Sequence, residues 1–162
     1  MPAELGNFEN RPHSKDLVLR RLVKAPRALV FEVFTKADHL AQWWAPKPLT
    51  VPRCEVDLRP GGIWRYTFRA PEGWEHDCVA TYREVEPPRL LVMEASALDP
   101  SGKPFFLLRQ TVELEARGDE TALTLSFKVL QAHPGSEPML EGMEAGTRMT
   151  LDNLQEYLTK IV

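Results

Sequence analysis

The sequence lacks several features that would assign it to a specialised class of protein. Its 162 residues include only two cysteines, Cys54 and Cys78, too few for the disulfide framework of a small secreted domain. We interpret both as small buried apolar side chains. The chain has no apolar run of about 18 residues, so no membrane span is predicted, and no secretory signal is expected at its N-terminus. We therefore expect a cytoplasmic protein.

The sequence also lacks a large excess of charge of one sign, and it lacks the common catalytic motifs. The net charge is −3, whereas nucleic-acid-binding domains favour a basic stripe, so no nucleic-acid partner is expected. No glycine-rich phosphate loop, serine-centred nucleophile elbow or HExxH motif occurs. The sequence therefore predicts no catalytic residue, no metal ion and no cofactor.

Two short helices are predicted near the start of the chain. Residues 1–14 show no periodicity and are predicted to form an N-terminal tail, followed by a single domain over 15–162. After a strand at 17–24, Pro26 suits a first helical turn. Asp38 is a good N-cap for a second helix, which delivers Trp43 and Trp44 before Pro46 ends it. The apolar residues at helical spacing in the first helix are Leu29, Val30, Val33 and Phe34.

From residue 50 the apolar pattern changes to period two, which predicts six strands joined by short turns. The alternating sets are Cys54, Val56 and Leu58; Trp64, Tyr66 and Phe68; Phe106, Leu108, Gln110, Val112 and Leu114; and Leu123, Leu125, Phe127 and Val129. Residues 90–95 form a further strand. In residues 75–86 the inward face stays open between two sets, Cys78, Ala80 and Tyr82 or Val79, Thr81 and Val85, which a bulge would reconcile.

The period returns to 3.6 from about Ser136, which predicts a final helix of about 20 residues. Its apolar stripe contains Met143, Thr147, Leu151, Leu154 and Leu158. Hairpin-length connections make the sheet antiparallel. A sheet of this size twists and curls, and the long helix covers its concave face. The predicted fold class is therefore α+β, a curved antiparallel sheet wrapped around a long C-terminal helix.

Several motifs in this order resemble one known family. They are Arg21-x-x-x-Ala25-Pro26, Leu40-x-x-Trp43-Trp44-x-Pro46, Asp57-Leu58-Arg59-Pro60-Gly61-Gly62, Glu86-Pro87-Pro88-Arg89-Leu90, Gly142-Met143-x-x-Gly146 and Leu151-Asp152-Asn153-Leu154. Together they resemble the branch of the START-like (SRPBCC) superfamily related to the C-terminal domain of the activator of Hsp90 ATPase. The resemblance spans about residues 17–158 and implies the helix-grip fold, in agreement with the pattern above.

The resemblance also implies a deep apolar cavity between the sheet and the last helix. Gly142 and Gly146 remove side-chain bulk there. Thr147 stands where relatives commonly have tryptophan, which leaves more room, and Ala80 stands where they commonly have glycine. The predicted ligand-binding residues are Trp44, Trp64, Tyr66, Phe68, Tyr82, Met93, Phe106, Leu108, Gln110, Phe127, Met143 and Thr147. We assign Trp44 to the mouth by resemblance, and Arg21 to an ion pair with a carboxylate of the sheet.

Three functions remain open at this point. The leading one is non-enzymatic binding of a small hydrophobic or aromatic molecule, such as a lipid or polyketide. The second is a stress-related chaperone partner, which the resemblance favours less because it covers only the C-terminal domain. The third is a cyclase, aromatase-like or hydrolytic enzyme that uses Tyr66, Tyr82, Gln110 and His76. His76 and Cys78 could also form half of a metal site or a thiol–imidazole pair.

A homodimer is a further hypothesis. It rests on the edge strand and on a partly exposed Trp43.

Overall fold

The computed structural model describes residues 16–161. The predicted tail over residues 1–14 lies outside this range. The described elements are, in order, β1 (Leu17–Val23), α1 (Arg27–Thr35), α2 (Ala37–Trp43), β2 (Thr50–Val56), β3 (Ile63–Arg69), β4 (Glu75–Glu86), β5 (Leu90–Ala97), β6 (Phe106–Arg117), β7 (Glu120–Ala132), α3 (Glu137–Glu141) and α4 (Met143–Ile161). This is the predicted α+β fold, with two short helices between the first and second strands.

The seven strands form one antiparallel sheet in the order β1-β7-β6-β5-β4-β3-β2. The strands from β2 to β7 follow the chain as a meander, because each is joined to the next by a short connection. β1 pairs with β7 from Leu17 opposite Phe127 to Val23 opposite Thr121. The first and last strands of the chain are therefore neighbours, and the sheet curves around α4.

A bulge settles which face of β4 points inward. The register between β4 and β5 shifts between Tyr82 and Glu84. Before the shift Tyr82 is buried, and after it Val85 packs against the same core. Cys78, Ala80 and Tyr82 therefore form the inward face before the bulge and Val85 joins it afterwards, whereas Val79 and Thr81 lie on the other face. By contrast Leu58, expected beside Cys54 and Val56, lies beyond the end of β2 and is 37% exposed.

The adjacent tryptophans at the end of α2 occupy different environments. Trp43 is 2% exposed, and its indole N–H donates to the Val33 carbonyl of α1 at 3.1 Å. The expectation of a partly exposed Trp43 is therefore wrong, because this hydrogen bond and the Phe34 ring hold it between the two short helices. Asn153 of α4 donates to the Ala45 carbonyl at 2.6 Å, which holds the end of α2 against the long helix.

The C-terminal helical region is broken rather than continuous. α3 ends at Glu141, Gly142 separates the two helices, and α4 then runs for 19 residues. Leu151, Leu154 and Leu158 are buried along the second half of α4. Arg21 of β1 contacts this helix, not the sheet as expected: its Nη1 donates to Asp152 Oδ1 at 2.8 Å and to Gln155 Oε1 at 2.7 Å. The reason is that Arg21 projects from an edge strand towards the helix that crosses it.

The two edges of the sheet differ in character. β2 carries Pro52, which cannot donate a ladder hydrogen bond and so disfavours pairing with another strand. β1 exposes Val18 and Leu22, which are 50% and 54% accessible. The homodimer remains a prediction, now with β1 rather than Trp43 as its apolar surface. No helix among residues 16–161 combines the length and apolar character needed to cross a membrane.

Candidate functional site

A cavity of about 410 Å³ lies between the curved sheet and the helices α3 and α4. Its helical side is formed by α3 and by the first half of α4, where Gly146, Thr147 and Thr150 face it. The second half of α4 packs closely against the core through Leu151 and Leu154. The cavity therefore opens at the end of the sheet where α4 begins.

Small side chains on the sheet create the free space. Cys78 of β4 lies opposite Ala97 of β5, and Ala80 lies opposite Ala95. Cys78, Ala95 and Ala97 line the cavity, so one inward position on β4 and two on β5 carry side chains no larger than that of cysteine. On the helical side, a Cβ built on Gly146 meets only Pro46 side-chain atoms, at 3.7 Å. The void follows from small residues facing each other across the sheet–helix gap.

Aromatic rings form one flank of the cavity. The Tyr66 ring centroid lies 5.2 Å from that of Phe68 and 6.3 Å from that of Trp44. Trp44 is held in turn by edge-to-face contacts with Trp43 at 5.4 Å and Trp64 at 5.1 Å. These edge-to-face geometries are favourable for aromatic pairs and fix the rings in place. The pair of tryptophans in the sequence thus supplies one ring to the core and one to the cavity wall.

Most residues predicted to contact a ligand lie in this wall. Those that line the cavity are Trp44, Tyr66, Phe68, Phe106, Leu108, Gln110, Phe127, Met143 and Thr147. Trp64, Tyr82 and Met93 do not line it. All three are at most 2% exposed and belong to the cluster of buried core side chains. On any one strand, therefore, only some of the inward-facing residues line the cavity, and the others pack in the core.

The rim of the cavity and its small residues carry little signal in the sequence. Trp74 lies in the β3–β4 turn, is 47% exposed and still lines the cavity, together with Pro46 and Leu49 of the connection between α2 and β2. His76, named above only as a catalytic alternative, also lines it, and its ring centroid lies 5.0 Å from that of Trp74. The signal available in the sequence for this rim was Trp74, a tryptophan directly after a predicted turn. Ala95, Ala97 and Met139 offered none.

Two polar groups of the wall lack partners. Trp44 Nε1 and Gln110 Nε2 are buried without a hydrogen-bond acceptor among residues 16–161, as is the hydroxyl of Tyr82 in the core. A buried donor left unpaired costs about 1–3 kcal/mol. Trp44 directly follows α2, Gln110 lies on β6, and both residues line the cavity. Each is a natural point of attachment for an acceptor atom that enters the cavity.

Burial keeps two titratable groups of the wall, Cys78 and Tyr66, neutral. It raises the pKa of the Cys78 thiol to about 12 and that of the Tyr66 phenol well above its usual range. Cys78 is therefore a neutral thiol near pH 7, unlike the activated cysteines of thiol nucleophiles. No group of three or more histidine, cysteine, aspartate and glutamate side chains is arranged as metal ligands among the described residues.

Comparisons with known proteins agree with this architecture. The model of the family described as "Activator of Hsp90 ATPase homolog 1-like protein" matches residues 24–159. A protein from Nitrosomonas europaea is 27% identical with a TM-score of 0.75, over 91% of this chain and 97% of that one. The AHSA1 protein from Silicibacter pomeroyi is 22% identical with a TM-score of 0.78, over 91% and 99% of the two chains.

A protein from Arthrobacter aurescens has a TM-score of 0.81 at 20% identity, over 91% of this chain and 87% of that one. No curated protein matches the sequence. The family match covers the two short helices, the double tryptophan, the meander and the last helix, in the order in which the sequence motifs occur. The chain therefore belongs to the family of proteins like activator of Hsp90 ATPase homolog 1, within the START-like fold.

Proposed function

We propose that this protein binds a small, largely apolar molecule in the cavity between the sheet and α4. The observation that supports it most is the cavity itself, about 410 Å³ with aromatic and aliphatic walls. Protein interiors are close-packed and rarely keep voids larger than a water molecule. Ligand pockets have volumes of about 300–1,000 Å³, with mostly apolar walls and a few polar groups. This cavity has that size and that chemistry.

The same geometry supports the other two functions less. The enzyme alternative needs a group that exchanges protons near neutral pH, whereas burial holds Cys78, Tyr66 and Tyr82 in their neutral forms. His76 lies against the exposed Trp74 ring rather than beside a second catalytic group. For a chaperone partner, the family description is the only support. Binding therefore stands as the function that the cavity favours.

Filling the cavity tests the proposal directly. Thr147 is 8% exposed and lines the cavity, whereas Met149, two residues later on α4, is 39% exposed. We expect Thr147→Trp to weaken binding of the neutral fluorescent probe N-phenylnaphthylamine by at least about tenfold, equivalent to about 1.4 kcal/mol. The new indole occupies the space that the probe needs. The family resemblance implies tryptophan at this position, so we expect the helix to accept it.

Met149→Trp is the matched control, because it adds the same side chain to the solvent side of the same helix. It should leave probe binding within about twofold of the parent, and far-ultraviolet circular dichroism should show that both variants are folded. The measurement is the rise of probe fluorescence on titration with protein. If Thr147→Trp binds the probe as tightly as Met149→Trp does, the cavity is not the binding site.

A further inference from the structure

The charge of the cavity wall restricts what it can bind. None of the lining residues on the described part of the chain is aspartate, glutamate, lysine or arginine. A charged group that enters such a wall loses its hydration without gaining a counter-ion, which costs several kcal/mol. His76 lies at the rim, where its ring centroid is 5.0 Å from that of Trp74 and 6.1 Å from that of Phe105. The interior therefore favours an uncharged molecule.

The unpaired donors define the polar part of that molecule. Gln110 is 2% exposed on β6, lines the cavity, and its amide nitrogen has no acceptor among residues 16–161. The last torsion of glutamine has a broad, roughly two-fold distribution, so a rotation of the amide turns its N–H towards a ligand. The indole N–H of Trp44 also lacks a hydrogen bond of good geometry, although Tyr66 lies beside it. Gln110 is therefore the buried donor that most needs an acceptor.

From these observations we infer that the ligand is an uncharged ring compound carrying an acceptor oxygen, such as a ketone, which the Gln110 amide binds inside the cavity. The inference rests on the proposed function and narrows it. An amphiphile with a carboxylate or phosphate end is excluded from the interior by the uncharged wall. A pure hydrocarbon enters but leaves the Gln110 and Trp44 donors unpaired. A neutral carbonyl compound offers an acceptor to the polar groups of the wall and apolar contact to the remaining side chains.

Three compounds of similar shape separate these cases. Acetonaphthone, naphthoate and ethylnaphthalene, substituted at the same ring position, present a carbonyl, a carboxylate and no acceptor. Their affinities are measured by displacement of N-phenylnaphthylamine at neutral pH. We expect acetonaphthone to bind at least about tenfold more tightly than naphthoate because of the charge. We expect it to bind about threefold to tenfold more tightly than ethylnaphthalene because of the hydrogen bond.

A variant then assigns the hydrogen bond to Gln110. Gln110→Met keeps the length of the side chain and removes the amide. It should abolish the preference for acetonaphthone over ethylnaphthalene, measured as the ratio of the two affinities in the same variant. Gln131→Met, on the exposed part of β7, is the matched control and should leave both affinities unchanged.

The outcomes distinguish this inference from the function on which it rests. If the probe does not bind the parent protein, the proposed function fails. If the probe binds but naphthoate competes as well as acetonaphthone does, the function stands and the uncharged ligand is ruled out. If the ketone preference survives in Gln110→Met, the ligand class stands and the role of Gln110 is wrong.

Discussion

Cys78 shows how a residue's position changes its chemistry. The side chain is 6% exposed, lines the cavity, and has Tyr66 opposite it on the neighbouring strand. From sequence, its pairing with His76 two residues earlier suggested a thiol–imidazole pair. Burial instead raises the pKa of the thiol to about 12, so the thiolate is almost absent near neutral pH. Cys78 therefore lines the cavity as a small, uncharged side chain.

Alkylation measures this directly. In a Cys54→Ser variant, the rate at which iodoacetamide modifies Cys78 should rise with pH without a plateau between about pH 7 and pH 10. The raised pKa means that the thiolate fraction is still increasing throughout this range. In denaturant, the same thiol should react faster and level off near its ordinary pKa of about 8.5. If the reaction rate of the folded protein reached a plateau below about pH 9, burial would not raise the pKa of the Cys78 thiol as stated.

Residue by residue, the sequence predicted large side chains better than small ones. Trp44, Tyr66 and Gln110 belong to a wall that their alternation and the family resemblance had indicated. Ala95 and Ala97 matter as much because they leave space open, and a small side chain carries no local signal that it faces a void. Their contribution depends on what lies across the gap.

At the level of elements, the glycines of the fold have unequal roles. Gly146 lies within α4, where a Cβ would meet Pro46 side-chain atoms at 3.7 Å, an ordinary contact. We expect Gly146→Ala to raise the free energy of unfolding by about 0.5–1 kcal/mol, because alanine loses less conformational entropy in a helix than glycine does. The measurement is unfolding in urea.

Gly62 is the contrasting position. A Cβ there would lie 2.0 Å from the Asp57 backbone carbonyl oxygen in the turn before β3. We therefore expect Gly62→Ala to lower the free energy of unfolding by about 1–3 kcal/mol, the usual cost of forcing an extra methyl group into a packed site. If Gly146→Ala and Gly62→Ala changed the free energy of unfolding equally, the close approach of the backbone to Gly62 would not matter for stability.

The helix break at Gly142 is an element that periodicity could not show. The apolar stripe continues from Met143 to Leu158 at regular spacing, and Pro138 precedes it by only a few residues. One helix and two successive helices give the same pattern over such a length. The break positions Met139 and Leu140 of α3 along the cavity, so it shapes the mouth as well as the helix.

At the level of the whole molecule, Arg21 joins the first strand to the last helix. Its guanidinium contacts Asp152, Gln155 and, at 3.3 Å, the Arg148 carbonyl oxygen. The Arg21 side chain is 22% exposed and that of Asp152 is 68% exposed, so solvent screens part of the attraction. The interaction nevertheless spans more than a hundred residues of chain and holds α4 over the sheet.

We expect Arg21→Met to lower the free energy of unfolding by about 1–2 kcal/mol, because three hydrogen bonds to a charged group are lost while the apolar stem is kept. Arg20→Met is the control. Arg20 is the exposed neighbour on β1, and its replacement should change the free energy by less than about 0.5 kcal/mol. Both values come from urea unfolding at the same ionic strength. If Arg21→Met and Arg20→Met had the same free energy of unfolding, Arg21 would not stabilise the fold.

The sequence by itself determined the order of elements, the antiparallel meander and the family to which the chain belongs. The alternation of Trp64, Tyr66 and Phe68 and the helical stripe ending at Leu158 arise between near neighbours, so they are visible in the sequence. Only the tertiary structure decided where the cavity ends, that Arg21 pairs with the helix, and that Trp74 lies at the rim. These depend on the gap between α4 and the sheet, which residues far apart in the chain set together.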